Sequence, residues 1–244
     1  MFRVRLQFHL LRIFWVAGLC ALAPQAWAQA LAIVPINQQL SAQERSASFT
    51  LTNHSDREAL VQVRGYSWSQ TERDDLYSPT TELIVSPPFA RIAPGSTQVV
   101  RFLLQRPAGA SEQAYRIVFD QIPDRISGRV EMALRLTVPV FSSALQAGQP
   151  DVQWRVVLRE GKAILKAFNQ GSQHAQLVNL TLTGDDGQTI KLKGQGLPYI
   201  LSGALREWSL VAAQGSLTKS RRLHLQTSGP GRRWDQWLVI EAND

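Results

Sequence analysis

The chain has 244 residues, 44% of them hydrophobic and 18% charged, with a formal net charge of +7 and a single cysteine, Cys20. That length and apolar content support a sizeable core, and one cysteine excludes a small disulfide-stapled scaffold. The positive excess is mild and spread along the chain, with no basic cluster interleaved with aromatics, so nucleic acid is not an expected partner.

In chain order, Arg3, Arg5 and Arg12 flank and precede the apolar run "LLRIFWVAGLCALAP", which ends in "AWA" at Ala26 to Ala28. A basic start, a short apolar centre and small residues two apart predict a secretory signal peptide over 1–28, cut after Ala28. The run is too short for a comfortable membrane span, and nothing later reaches the roughly 18 apolar residues that a span requires, so no membrane insertion is expected. Leu19, directly before Cys20, is bulkier than lipoprotein processing prefers. Cleavage leaves 216 residues with no cysteine and 23 Lys and Arg against 19 Asp and Glu. A chain of that size suits two domains of about 100 residues each.

Strand signals then recur at short spacing: "ALAIVPI", "SASFTLTN", "EALVQVRGYSW", "ELIVSP", "TQVVRFLLQ", "AYRIVFDQI" and "RVEMALRLTVPVF". The turn clusters "NHSD", "APGS", "RPAGAS" and "DRISG" separate them. Seven short strands without helical periodicity predict an immunoglobulin-like sandwich over 29–143. "SALQAGQPD", small and polar with Gly and Pro, reads as a linker, with 144–151 between the domains. A second series of about seven strands, from "VQWRVVLRE" to "RWDQWLVIEA", predicts another sandwich over 152–244. Both halves place an Asn at an early strand-to-turn step, in "TLTNHSD" and "KAFNQGS". The predicted fold class is all-β, two tandem immunoglobulin-like sandwiches.

The seventh strand poses a problem. Val130, Met132, Leu134, Leu136, Val138 and Val140 alternate with more polar residues, which gives one apolar face. Pro139 cannot donate to a ladder, which pushes the strand to an edge or a sheet end. An apolar edge strand is an aggregation hazard. Its apolar face either belongs to the domain's own core or is kept for a partner.

No catalytic constellation stands out. After residue 28 the histidines are His54, His174 and His224, none at metal-ligand spacing from another, and His54 and His174 are expected as exposed turn residues. There is no G-x-S-x-G elbow and no Gly-rich phosphate loop. "GDDG" is hairpin-turn chemistry, and the adjacent carboxylates of "RDDLY" point to opposite strand faces. Trp68, Trp154, Trp208, Trp234 and Trp237, scattered over the strands, read as core fillers. No enzyme activity, cofactor or metal is expected.

The stretches "SPPFARIAPGSTQVVRF" and "SEQAYRIVFDQIP" resemble the PapD-like periplasmic pilus-assembly chaperones of the chaperone–usher pathway. The resemblance rests on Pro87, Pro88, Ile92, Pro94, Gly95, Gln98, Val100 and Arg101, then on Glu112, Tyr115, Ile122 and Pro123. "FTLTNHSD" matches the family's second strand closing in Asn, and looser likeness continues in "KAFNQGS" and "YILSGALREW". The short "DRISG" connection, with "YRIVFDQIP" and "LTVPVF", looks more like the archaic or alternative branch.

The resemblance implies that the seventh strand is donated to a pilin subunit that lacks a strand of its own. Val130, Met132, Leu134, Leu136, Val138 and Val140 would then fill the pilin groove. It also implies delivery to an outer-membrane usher, a periplasmic location, and a free state that is a monomer or weak self-dimer. The family anchors the pilin's terminal carboxylate on basic residues in the cleft between domains, in its best-known branch an Arg of the first strand and a Lys of the seventh. Neither is present in "LAIVPI" or at Thr137, Val138 and Pro139. Arg116, Arg135 and Arg101 are the candidate substitutes, in that order. The rival reading is a secreted structural or adhesive sandwich without a chaperone role.

Overall fold

The computed structural model describes residues 31–41, 43–106, 111–123, 133–143, 148–193, 198–211 and 221–242. The expected signal peptide, Val130, Met132, the "DRISG" turn and residues 144–147 of the expected linker lie outside them. Every element described is a strand or a short turn. The first ten strands are β1 (Leu31–Val34), β2 (Gln38–Leu40), β3 (Ser46–Asn53), β4 (Ala59–Gln70), β5 (Asp75–Pro79), β6 (Leu83–Ser86), β7 (Phe89–Ile92), β8 (Thr97–Leu104), β9 (Gln113–Ile122) and β10 (Arg135–Ser142). Nine follow: β11 (Val152–Arg159), β12 (Lys162–Asn169), β13 (Ala175–Gln176), β14 (Val178–Gly184), β15 (Lys191–Lys193), β16 (Tyr199–Ile200), β17 (Leu205–Val211), β18 (Arg222–Gly229) and β19 (Arg232–Ala242).

The first sandwich packs a sheet of order β1-β3-β8-β6 against one of order β2-β10-β9-β4-β5, with β7 also on β4. The chain changes sheets between β6 and β7 at Pro87 and Pro88, where two prolines cannot continue a ladder. Alternation decides what fills the space between the sheets: Val100, Phe102 and Leu104 of β8 meet Val61, Val63, Ile117 and Phe119 from the facing sheet. Phe49 stacks on Phe102 at 5.5 Å and meets Phe119 edge-on at 5.9 Å.

In the second sandwich one hydrogen-bonded path, β14-β18-β19-β11-β12-β17-β15, encloses a core that includes Val156, Leu165, Leu182, Leu223 and Leu225. The paired Asn motif is the same device twice. Asn53 is buried, donates its amide to the carbonyls of Arg57 and Ile92, and accepts from the Ser55 amide. Asn169 is buried likewise, donates to Gln173 and Ile200, and accepts from Gly171. Each side chain supplies partners to backbone groups that a turn takes out of the ladder.

Asp75 takes a structural place, and two expectations change. "RDDLY" contains the start of β5, whose Asp75 accepts from Trp68 Nε1 and Gln70 Nε2, both at 2.8 Å. His174 is not a free turn residue: its ring stacks on Phe141 at 3.6 Å, and Nδ1 lies 2.8 Å from Glu112 of the first sandwich. Trp237 is not core but 49% exposed on β19. It stacks on His224 at 4.7 Å, an outer-face pair that adjacent antiparallel strands readily form.

Candidate functional site: an open strand edge and a buried arginine

β9 pairs with the whole of β10, but on the other side β2 covers only Val140 to Ser142, in parallel. The register identifies which backbone groups are left over. The Gln121 amide donates to the Leu134 carbonyl, and the two residues are directly opposite. Antiparallel pairing alternates, so Leu134, Leu136, Val138 and Val140 bond toward β9, whereas Arg135, Thr137 and Pro139 turn their backbone to the open side. Pro139 offers a carbonyl alone, and beyond it Ser143 donates to Leu40 of the β2 flank.

The side chains grade along the same strand. Val138 and Val140 are buried in the core of their own sandwich, while Leu134 and Leu136 are only partly covered. Periodicity identified the face of Val138 and Val140, and in this structure that face is packed against the core of their own sandwich. Among the described residues Leu134 and Leu136 are the apolar side chains beside the open edge.

The outward face of this sheet carries the charges. Arg116 of β9 stands opposite Pro139, with Val118 and Asp120 further along. The Arg116 residue is only 2% exposed, and its guanidinium carbon lies 3.7 Å from the Trp68 ring and 5.6 Å from the Tyr199 ring. Tyr77 pairs with Trp68 in the β4–β5 register beside it. Nε and Nη2 of Arg116 are buried without a partner, and no described carboxylate forms an ion pair with it. Burial lowers the Arg116 pKa below the usual arginine value, opposed by Tyr77, Tyr199 and Asp75. A buried cation with two unpartnered nitrogens makes Arg116 a candidate anion site, because charge-assisted hydrogen bonds would satisfy them.

The other candidate arginines are elsewhere. Arg135 stands opposite Asp120, four residues along β10 from the position facing Arg116, roughly 13 Å at strand rise. It is ion-paired with Asp120, which Arg64 also binds. Burial pushes the Asp120 carboxyl up, but the hydrogen bonds from Arg135 and Arg64 outweigh it and hold the pKa below the usual aspartate value. Arg101 is exposed on β8 of the other sheet, between Ser48 and Ser86. Neither reaches Arg116, since one sits further up the same face and the other on the opposite layer.

Residues distant in sequence complete the junction. Gln70 donates to the Tyr199 carbonyl at 3.0 Å and accepts from the Leu201 amide at 2.9 Å. Arg206 of β17, 1% exposed, donates to the carbonyls of Thr71 and Asp74 at the β4–β5 turn. Trp68 and Phe141 of the first sandwich pack into the core of the second, Trp68 meeting Tyr199 edge-on at 5.6 Å. Nothing local in "RGYSW" or "REWSL" marks Trp68 or Arg206 as a residue of the junction.

Residues 33–143 match the family described as pili and flagellar-assembly chaperone, PapD N-terminal domain. Comparison with curated sequences finds no match. Among solved structures, the CsuC–CsuE chaperone–tip adhesion subunit pre-assembly complex from archaic chaperone–usher Csu pili of Acinetobacter baumannii contains a chain with 24% identity. That match covers 88% of this chain and 100% of that one, with TM-score 0.64. The Escherichia coli chaperone DraB has 21% identity, covering 86% of this chain and 97% of its own, with TM-score 0.57. A chain of the Salmonella enterica SafA pilin–SafB chaperone complex has 14% identity over 85% of this chain and 96% of its own, with TM-score 0.60. These likenesses establish the two-sandwich fold over both halves, and the match over 33–143 places that first sandwich in the PapD N-terminal domain family of pili and flagellar-assembly chaperones.

Proposed function

We propose that the protein is a non-enzymatic periplasmic chaperone that binds pilin subunits by lending them β10 and delivers them to an outer-membrane usher. The observation that carries this reading is the open edge of β10, with the backbone of Arg135 and Thr137 turned outward beside half-covered Leu134 and Leu136. A pilin strand added there gains main-chain hydrogen bonds, and Leu134 and Leu136 enter its groove. Val130 and Met132 extend the same alternation in the sequence and would lengthen the plug.

Arg116 receives the pilin's terminal carboxylate. β10 runs from Arg135 toward the junction, so a strand ending at Arg116 must run parallel to β10. β2 already pairs in parallel on that edge and stops the added strand near Pro139. The added strand lies two strand spacings from β9, roughly 10 Å, a gap that an arginine side chain and a terminal residue can close together. The domain limits in the exported protein are 29–143 and 152–244, after a signal over 1–28. The match to a complex from archaic Csu pili supports placing the chain in that branch. With no pilin bound, the protein is a monomer or a weak self-dimer.

The test is periplasmic co-purification of tagged protein with a co-expressed candidate pilin, using wild type and Leu134→Asp, the variant first shown folded by circular dichroism. One-to-one capture by wild type, lost in Leu134→Asp, supports strand donation. Wild type recovered alone, or equal capture by the variant, makes the protein a secreted structural or adhesive sandwich instead.

A further inference from the structure

We infer that Tyr77 and Tyr199 complete the carboxylate site, so that one cation and two phenolic O–H donors hold the terminal carboxylate. The inference rests on Arg116 as the anchor and adds the residues that make the site selective. A single guanidinium can make two parallel bonds to a carboxylate, which leaves the remaining lone pairs of a desolvated anion to be satisfied by other donors.

The surroundings of Arg116 narrow the choice. Asp75 is engaged by Trp68, Gln70 and Arg206. Trp68 lies against the guanidinium as a floor, with its own indole N–H committed to Asp75. Tyr77 stands beside Trp68 in the β4–β5 register. Its phenolic O–H is used by no described residue and is available to donate. Tyr199 comes from the second sandwich, 5.6 Å from the same guanidinium, and the Gln70 bridge fixes its backbone. No described residue hydrogen-bonds its hydroxyl. Burial pushes both tyrosines above the ordinary tyrosine pKa, so both keep the proton to be donated at neutral pH.

The site is therefore shared by both sandwiches, and its donor set selects a terminal carboxylate. A carboxamide end would turn an NH₂ group toward donors and leave one of them unpaired. The probe is a short peptide with the C-terminal sequence of the pilin recovered by co-purification, made as free acid and as carboxamide. Binding is read by titration calorimetry.

Wild type is expected to prefer the acid by at least about tenfold. Tyr77→Phe and Tyr199→Phe each weaken acid binding by about three- to tenfold and leave carboxamide binding unchanged. Arg116→Met removes the preference. Acid binding unchanged in both Phe variants, with the preference still lost in Arg116→Met, overturns the tyrosine assignment and leaves the anchor standing. An unchanged preference in Arg116→Met overturns the anchor itself, and the inference with it.

Discussion

Arg116→Met is expected to leave the free protein as stable as wild type, or slightly more stable, although it replaces a side chain that is almost wholly buried. The stacked guanidinium contributes up to about 2 kcal/mol on Trp68. Against this stand Nε and Nη2, buried without partners, at about 1–3 kcal/mol each, and the cost of desolvating the charge. The balance falls at zero or on the stabilising side, because methionine keeps most of the apolar stem and brings no charge. Urea unfolding followed by tryptophan fluorescence measures it, with the Trp68 environment as an internal reporter. A loss above about 3 kcal/mol, the scale of breaking a buried ion pair, would show that Arg116 is a structural tie, and the argument that it is held ready for an anion would fail.

Other outcomes follow from the same geometry. Thr137→Pro removes an amide that faces the open edge and not β9, so the fold should persist, as it does with Pro139 two residues on, while pilin capture falls by about tenfold or more. Asn53→Ala and Asn169→Ala each remove a donor from two carbonyls, one of them buried (Ile92 and Ile200), and each should cost about 2–4 kcal/mol in urea unfolding. A smaller effect would mean that the turns can relax onto water. Asp120 has a depressed pKa in the folded state, so its contribution is complete above the ordinary aspartate range near pH 4 and is lost as pH falls through the folded value. Asp120→Asn should therefore flatten the loss of stability on acidification below about pH 4, and an unchanged acid profile would contradict this.

The alternating strands could be read from sequence because burial on one face is written into a period of two. β3 and β12 coincide with "SASFTLTN" and "KAILKAFN". β5 could not be read that way: nearly all of it is exposed, and it exists because β4 extends past the sheet and offers it a ladder. Alternation also set the apolar face of β10 but not what covers it, which is why Val138 and Val140 read the same as Leu134 and Leu136. Arg116 was reached through family likeness, whereas its cage of Trp68, Tyr77 and Tyr199 depends on contacts between sandwiches that no local pattern encodes. The same holds for His174, whose place against Phe141 and Glu112 is set by residues of the other sandwich.

Residue-resolved amide exchange of the free protein and of its complex with a co-purified pilin tests strand donation most directly. In the free protein the amides of Arg135 and Thr137 should exchange fast, while those of Leu136 and Val138, bonded to β9, exchange slowly. In the complex Arg135 and Thr137 should become as protected as their neighbours. If the pilin is bound and both amides still exchange as in the free protein, no strand has been added to β10, and the proposed mechanism is wrong.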